Sequence, residues 1–244
     1  MIRKTWKSSQ PLARCLVFAF ILARSVGAQG TAPGAPTIDA SRIRYGALDY
    51  VLSLKREGEE EFIGTVRDEI LPVRGDDPVI RRVQTVRRGK TVTIDSTVSD
   101  ASTLAPRWHR TVEPNRDVLL QWADGRVRGE VIGSGSGRRA AKAIDTVYAD
   151  AFDAANWDLA VRALPLDEGD VTTIEVYDVE RQRHPYSVRV VSRDIRGNSY
   201  VIHVIVQVDK NTEAHAWFDD VTRTLLRVET QISHDMVLRQ VLKP

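Results

Sequence analysis

The chain has 244 residues, of which 42% are hydrophobic and 28% charged, with 35 Lys and Arg against 33 Asp and Glu. That is enough apolar material for a sizeable core, and the interspersed charge signs exclude a broad basic face for nucleic acid. The one cysteine, Cys15, lies in a segment read as cleaved, so the mature chain offers no disulfide, thiol nucleophile or thiolate metal site.

Residues 1–28 read as an export signal. Arg3, Lys4 and Lys7 precede an apolar run from Cys15 to Ala23, and Val26-Gly27-Ala28 supplies the small side chains of a cleavage site. The run is about half the length needed to span hydrocarbon, so no transmembrane segment is expected in the mature protein. Cys15 opens the run behind Arg14, which is the wrong place for lipid attachment, and no paired arginines precede it. The general secretion route to the periplasm or the exterior is expected. Residues 29–41, rich in Gly, Ala and Pro, read as a flexible leader, and residues 42–244 as one β-rich domain.

From Arg42 the pattern is short strands with turn signals between them. Gly46, Leu48, Tyr50, Leu52 and Leu54 form an apolar face of period two, and Glu57-Gly58-Glu59 turns the chain into Phe62–Ile70. Val79–Arg87, Thr91–Ser96, Arg107–Val112, Val118–Trp122 and Arg126–Ile132 follow with tight links, as in an antiparallel meander. Gly133–Arg139 reads as a flexible connector. Asp150–Leu164 places Phe152, Trp157, Ala160, Val161 and Leu164 at helical spacing, stopped by Pro165, which predicts one amphipathic helix. Strands resume at Val171–Val179, Tyr186–Arg193, Ser199–Val208, Ala214–Asp219, Thr224–Ile232 and Met236–Leu242. Asp100–Arg107 and Asp219–Arg227 resemble one another weakly, each an acidic turn before a strand, and point to two pseudo-equivalent halves flanking the helix.

Ser102–Arg107, Asp117–Gly129, Leu159–Leu166, Trp217–Asp220 and Leu225–Arg227 carry a resemblance to a domain-of-unknown-function family of secreted or periplasmic bacterial proteins, similar in architecture to the LolA/LolB lipoprotein-carrier half-barrel. The resemblance implies a mainly β fold, an open antiparallel half-barrel of many short strands wrapped around one main α-helix, with an apolar concavity for an acyl chain or another hydrophobic group. It supplies no catalytic residues.

Motifs for chemistry are sparse. The glycine run Gly133–Gly137 lacks the Gly-Lys-Ser/Thr ending of a phosphate loop, and no Gly-x-Ser-x-Gly elbow is present. His109, His184, His203, His215 and His234 sit on separate strands with no metal spacing, and a hairpin register read from the sequence sets His203 beside Phe218 rather than His215. Asp150 and Asp153 read as a helix start, Asp219-Asp220 as a turn, and Arg81-Arg82 and Arg87-Arg88 as solvated surface. No catalytic residue, metal or cofactor is assigned. The aromatic residues Trp108, Trp122, Trp157 and Trp217 are the candidate ligand-binding residues, each either lining the concavity or filling the core. The expected function is a non-enzymatic binding or carrier protein for a lipid-like or other hydrophobic ligand in the bacterial cell envelope. The alternatives are a scaffold for an envelope protein partner and an uncharacterised hydrolase.

Overall fold

The computed structural model describes residues 37–244 except 136, 137, 149 and 198, with backbone only at 134, 135, 138, 139, 196 and 199. The expected signal segment and most of the leader lie outside the described residues.

Fifteen strands make one sheet among the described residues. Before the helix come β1 (Gly46–Arg56), β2 (Glu59–Val73), β3 (Val79–Arg88), β4 (Thr91–Asp100), β5 (Pro106–Glu113), β6 (Arg116–Ala123), β7 (Arg126–Gly135) and β8 (Arg138–Val147). Then come β9 (Phe152–Asp153), the 3-10 turn η2 (Ala154–Asn156) and α1 (Trp157–Ala163). After the helix come β10 (Val171–Asp178), β11 (Gln182–Arg196), β12 (Ser199–Asp209), β13 (Thr212–Asp219), β14 (Leu225–Ser233) and β15 (Met236–Leu242). Neighbours in sequence are neighbours in the sheet except β8 and β9, which stand at its two ends; β1 also pairs with β15, and every pairing is antiparallel except β9 with β10.

The pleat explains the strands. On β13 Thr212, Ala214, Ala216 and Phe218 are buried, while Glu213, His215, Trp217 and Asp219 on the other face are half-buried. Hairpin turns fall where the backbone must take positive φ, at Glu57-Gly58 and Asp124-Gly125. Gly129 on β7 serves a different need, since a Cβ there would stand 1.9 Å from the Leu119 carbonyl oxygen of β6.

The two ends of the sheet are drawn together. Residues after β8 lead at once to β9, which pairs in parallel with β10. Trp122 of β6 meets Tyr177 of β10 edge to face, with ring centroids 6.1 Å apart, and Arg116 pairs with Glu180. Val118, Leu120, Val127, Ile144 and Ala151 complete the apolar cluster across this seam. The sheet is thus barrel-like, with one face turned inward on α1.

The two halves repeat each other more closely than their sequences do. β3 to β6 and β12 to β15 correspond in order at an offset of 119 positions, 100 matching 219 and 104 matching 223. At both places the aspartate accepts from backbone N–H groups, Ser102 and Thr103 in one case and Thr222 in the other. Leu104 N donates to Asp100 O at 3.1 Å and Arg223 N to Asp219 O at 2.8 Å, and both fourth residues are left-handed, with φ 59 and 55. A register shift precedes each turn, at Val98/Ser99 and at Trp217/Phe218.

Several expectations are corrected. The helix is α1, Trp157–Ala163, rather than Asp150–Leu164, because Asp153 is extended and spends its carboxylate accepting from Ala155 N at 3.0 Å. Residues 133–135 and 138–139 belong to β7 and β8 and not to a connector, and the link at 136–137 lies outside the described residues. Ile38 and Ala40, placed in the leader by sequence, pack with Ile43, Ile70, Ile80, Leu104, Leu159 and Ala163, and Asp39 N donates to Ala163 O at 2.9 Å. Arg82, read as surface, is 2% exposed.

Candidate functional site

The face turned toward α1 carries charge as well as apolar groups. On β2 and β3 the inward positions run Val66, Asp68, Ile70 and Ile80, Arg82, and the helix adds Asp158 and Arg162 one turn apart. Arg82 donates from Nε and Nη2 to Asp68 at 2.8 Å each, and from Nη1 and Nη2 to Asp158 at 2.6 and 3.0 Å. Arg162 Nη2 donates to the same Asp158 at 2.6 Å. Burial works against each charge, but the Asp158 and Asp68 carboxylates hold the Arg82 pKa well above its ordinary value, and Arg82 and Arg162 hold that of Asp158 down. Asn156 extends the network, accepting from Thr97 Oγ1 at 3.1 Å and donating to Ser99 Oγ at 3.3 Å.

A second buried group ties η2 to the wall. His109 of β5 places Nδ1 3.0 Å from Asp153 Oδ2 and Nε2 3.3 Å from Asp95 Oδ2 and 2.7 Å from Thr111 Oγ1. Asp153, His109 and Thr111 stand in the order of a carboxylate–imidazole–hydroxyl row, but the chemistry is different. Burial disfavours the imidazolium, yet Asp153 and Asp95 together raise the His109 pKa well above normal, a shift that favours the imidazolium over the neutral ring a general base needs. Thr111 is buried and donates its hydroxyl proton to Asp95 at 2.9 Å, so it is no nucleophile.

Packing on the inward face is uneven. Ile174, Val176, Tyr186, Val188, Val204, Val206, Ala214, Ala216 and Phe218 on β10 to β13 are all fully buried. On β1, β14 and β15 the register puts Leu54 opposite Leu238, Leu52 opposite Gln240, and Val228 opposite Gln240, on the same face as Tyr50. There Leu54, Val228, Leu238 and Gln240 are only half-buried. Burial is complete beneath β10 to β13 and less so along β1, β14 and β15, where Leu52 and Thr230 are buried between the half-buried residues.

The four tryptophans do not converge. Trp122 is in the seam, its Nε1 buried without a hydrogen-bond acceptor. Trp157, the first residue of α1, is half-buried. Trp108 and Trp217 alternate with the inward His109 and Phe218 and therefore lie on the outer face, away from any concavity. Trp217 stacks on His203 at 4.5 Å between centroids, with the Arg227 guanidinium 4.4 Å from its ring centre. His203 pairs with Trp217, and its Nε2 lies 3.1 Å from His215 Nδ1, contrary to the register expected from sequence, because a bulge at Val208 shifts the hairpin by one residue. Among the described residues no three His, Cys, Asp or Glu side chains gather as a metal would need.

With this fold in view, the model of the family described as "Protein of unknown function (DUF3108)" matches residues 49–239. The chain belongs to that family. The DUF3108 match runs from β1 into β15 and so takes in the lattice and, of the half-buried strip, Leu54, Val228 and Leu238. A solved structure described as a beta-barrel-like protein of domain of unknown function DUF1849 from Brucella abortus is similar, with 12% identity and a TM-score of 0.52, covering 85% of this chain and 98% of that one. That likeness concerns the fold. Among curated proteins none matches the chain.

Sequence reasoning passed over the charged lattice. The available signal was charge at inward positions, Asp158 and Arg162 four apart in a helix otherwise made of Trp, Leu, Ala and Val, and Asp68 between Val66 and Ile70.

Two outcomes follow from the lattice. Arg82→Met leaves Asp68 buried without a cation and Asp158 with Arg162 alone, and is expected to lower the urea-unfolding free energy by about 3–5 kcal/mol; a loss below about 1 kcal/mol, the range of a surface pair, would refute a structural role. For His109 the folded pKa lies above the unfolded value of about 6.5, so its ion pairs stabilise fully below that pH and their contribution is lost as pH rises through the folded pKa. Asp95, lowered in the fold, contributes above about pH 3.9 and loses that contribution as pH falls. Unfolding free energy of the native sequence should decline with rising pH above about 6.5, and His109→Gln should flatten that decline; parallel profiles would contradict the assignment.

Proposed function

We propose that this DUF3108 protein is an extracytoplasmic, non-enzymatic binding or carrier protein for a lipid-like or other hydrophobic ligand in the bacterial cell envelope. The observation that carries the reading is the half-buried set Leu54, Val228, Leu238 and Gln240 on the inward face, where Ile174, Val188, Val204 and Phe218 on β10 to β13 are fully buried. Apolar side chains held at the wall of a barrel-like sheet but left short of full burial are the lining expected of a ligand cleft, with Gln240 as a polar group to orient what enters. The export signal read in residues 1–28 supports a place outside the cytoplasm. No helix among the described residues is long and apolar enough to cross a membrane. The two carboxylates that flank His109, and the buried Thr111 donating to Asp95, argue against the hydrolase alternative at this row.

A fluorescent long-chain fatty acid titrated into the mature protein should bind saturably. Leu238→Asp, which puts a charge on the strip, should weaken that binding by about tenfold or more while leaving the unfolding midpoint close to that of the native sequence. Absence of saturable binding to the native protein, or equal affinity in the variant, would count against a hydrophobic ligand at this face.

A further inference from the structure

The opposite end of the strands, where β13 turns into β14, holds a buried arginine that the fold does not require. In the first repeat the left-handed residue of this turn is Leu104, 3% exposed and packed in an apolar cluster with Ile70, Ile80 and Leu159. In the second repeat the equivalent residue is Arg223, with the same backbone conformation, 8% exposed, and a buried Nη1 without a hydrogen-bond partner. Its other terminal nitrogen comes no closer than 3.9 Å to Asp220 Oδ1. A guanidinium proton buried without an acceptor costs free energy that a leucine would not.

Two more arginines reach the same place. Arg42 Nη1 donates to Leu164 O at 3.3 Å and Arg193 Nη2 to Leu166 O at 3.0 Å, two residues apart on the segment that follows α1. Arg193 Nε also lies 3.3 Å from the Asp220 that faces Arg223. The nearby acceptors are therefore engaged: Asp39 by Arg42 at 3.0 Å, Asp220 by Arg193, and Asp219 by Thr222 N at 2.6 Å. Burial, with the charges of Arg42 and Arg193, pushes the Arg223 pKa below that of an ordinary guanidinium despite Asp220 and Asp167. The mouth is accessible, since the Arg42 and Arg193 side chains are partly exposed. It is also bordered by exposed apolar side chains: Ile195 and Tyr200 face each other across β11 and β12, Tyr200 O accepts from Asp220 N, and Val221 is 80% exposed.

We propose that Arg223, with Arg42 and Arg193 at its rim, forms a binding site for a phosphate-class oxyanion, taken either as free phosphate or as the headgroup of a phospholipid. Guanidinium groups from three elements meet a tetrahedral anion with several oxygens better than a single carboxylate. The exposed Ile195, Tyr200 and Val221 give a headgroup an apolar border. This site lies at the other end of the strands from the open strip and stands independently of it.

The test is calorimetric titration of the mature protein with inorganic phosphate against chloride at matched ionic strength, and sedimentation with vesicles of phosphatidylcholine with and without phosphatidic acid. Saturable binding of phosphate identifies a free anion as ligand, and binding confined to phosphatidic acid vesicles identifies the headgroup; both support the site. Arg223→Leu restores the residue of the first repeat, so it should unfold at a higher temperature than the native protein while losing the binding. Arg193→Gln at the rim should weaken binding by about tenfold and leave folding unchanged. Failure of the native protein to bind phosphate in either form, or undiminished binding in Arg223→Leu, would overturn the proposal and leave Nη1 with ordered water.

Discussion

The ion lattice of Arg82, Asp68, Asp158 and Arg162 is the constraint on which the rest of this structure depends. A seven-residue helix is too short to be stable by its own hydrogen bonds, so α1 exists because the sheet holds it. Apolar contacts through Leu159 and Ala163 give adhesion, but adhesion alone allows a short helix to slide or rotate on an inward face. Arg82 bonds both Asp68 and Asp158 in bidentate geometry and Arg162 bonds Asp158 as well, which admits one position. A buried lattice of this kind adds little net stability over an apolar core of the same shape, and its effect is specificity of placement, at the cost of strong destabilisation if one member is lost.

Fixing α1 also determines where the interior is full and where it is not. The helix ends beneath the segment Ile38–Ile43, so one end of the barrel-like sheet is closed by the first cluster. On β1, β14 and β15 the inward Leu54, Val228, Leu238 and Gln240 are half-buried, while Leu52 and Thr230 beside them are buried. The repeat sharpens the contrast. Two four-strand meanders, β3 to β6 and β12 to β15, share turns, bulges and left-handed residues, so the same backbone problem is solved twice, and differences between the copies mark positions freed from that problem. Leu104 against Arg223 is the plainest difference, a core leucine on one side and a buried cation on the other.

How much of this could be read from the sequence depended on whether a residue's neighbours were local. The apolar face of β1 was legible because Leu48, Tyr50, Leu52 and Leu54 share it, and the turns at Asp100 and Asp219 share backbone conformation and hydrogen bonding. β8 was passed over because Ile144 is the one buried side chain among those described on it, between small and charged neighbours. The helix start was misplaced because the pattern of apolar residues runs through Phe152, which is on β9, and nothing local shows that Asp153 is extended. The register at His203 was wrong by one because a bulge is invisible in composition. The charged lattice was missed for a general reason, that a charge is read as surface unless its partner is known, and the partners here are 14 and 76 positions away.

The account centres on a lattice-fixed helix that leaves an apolar strip open on the inward face, and the most direct test is a crystal structure of the mature protein with a long-chain fatty acid. Electron density for the acyl chain against Leu54, Val228, Leu238 and Gln240, with Arg82 still holding Asp68 and Asp158, is the result the account predicts. An acyl chain lodged elsewhere, or one admitted only by displacing α1 and breaking the lattice, would contradict it.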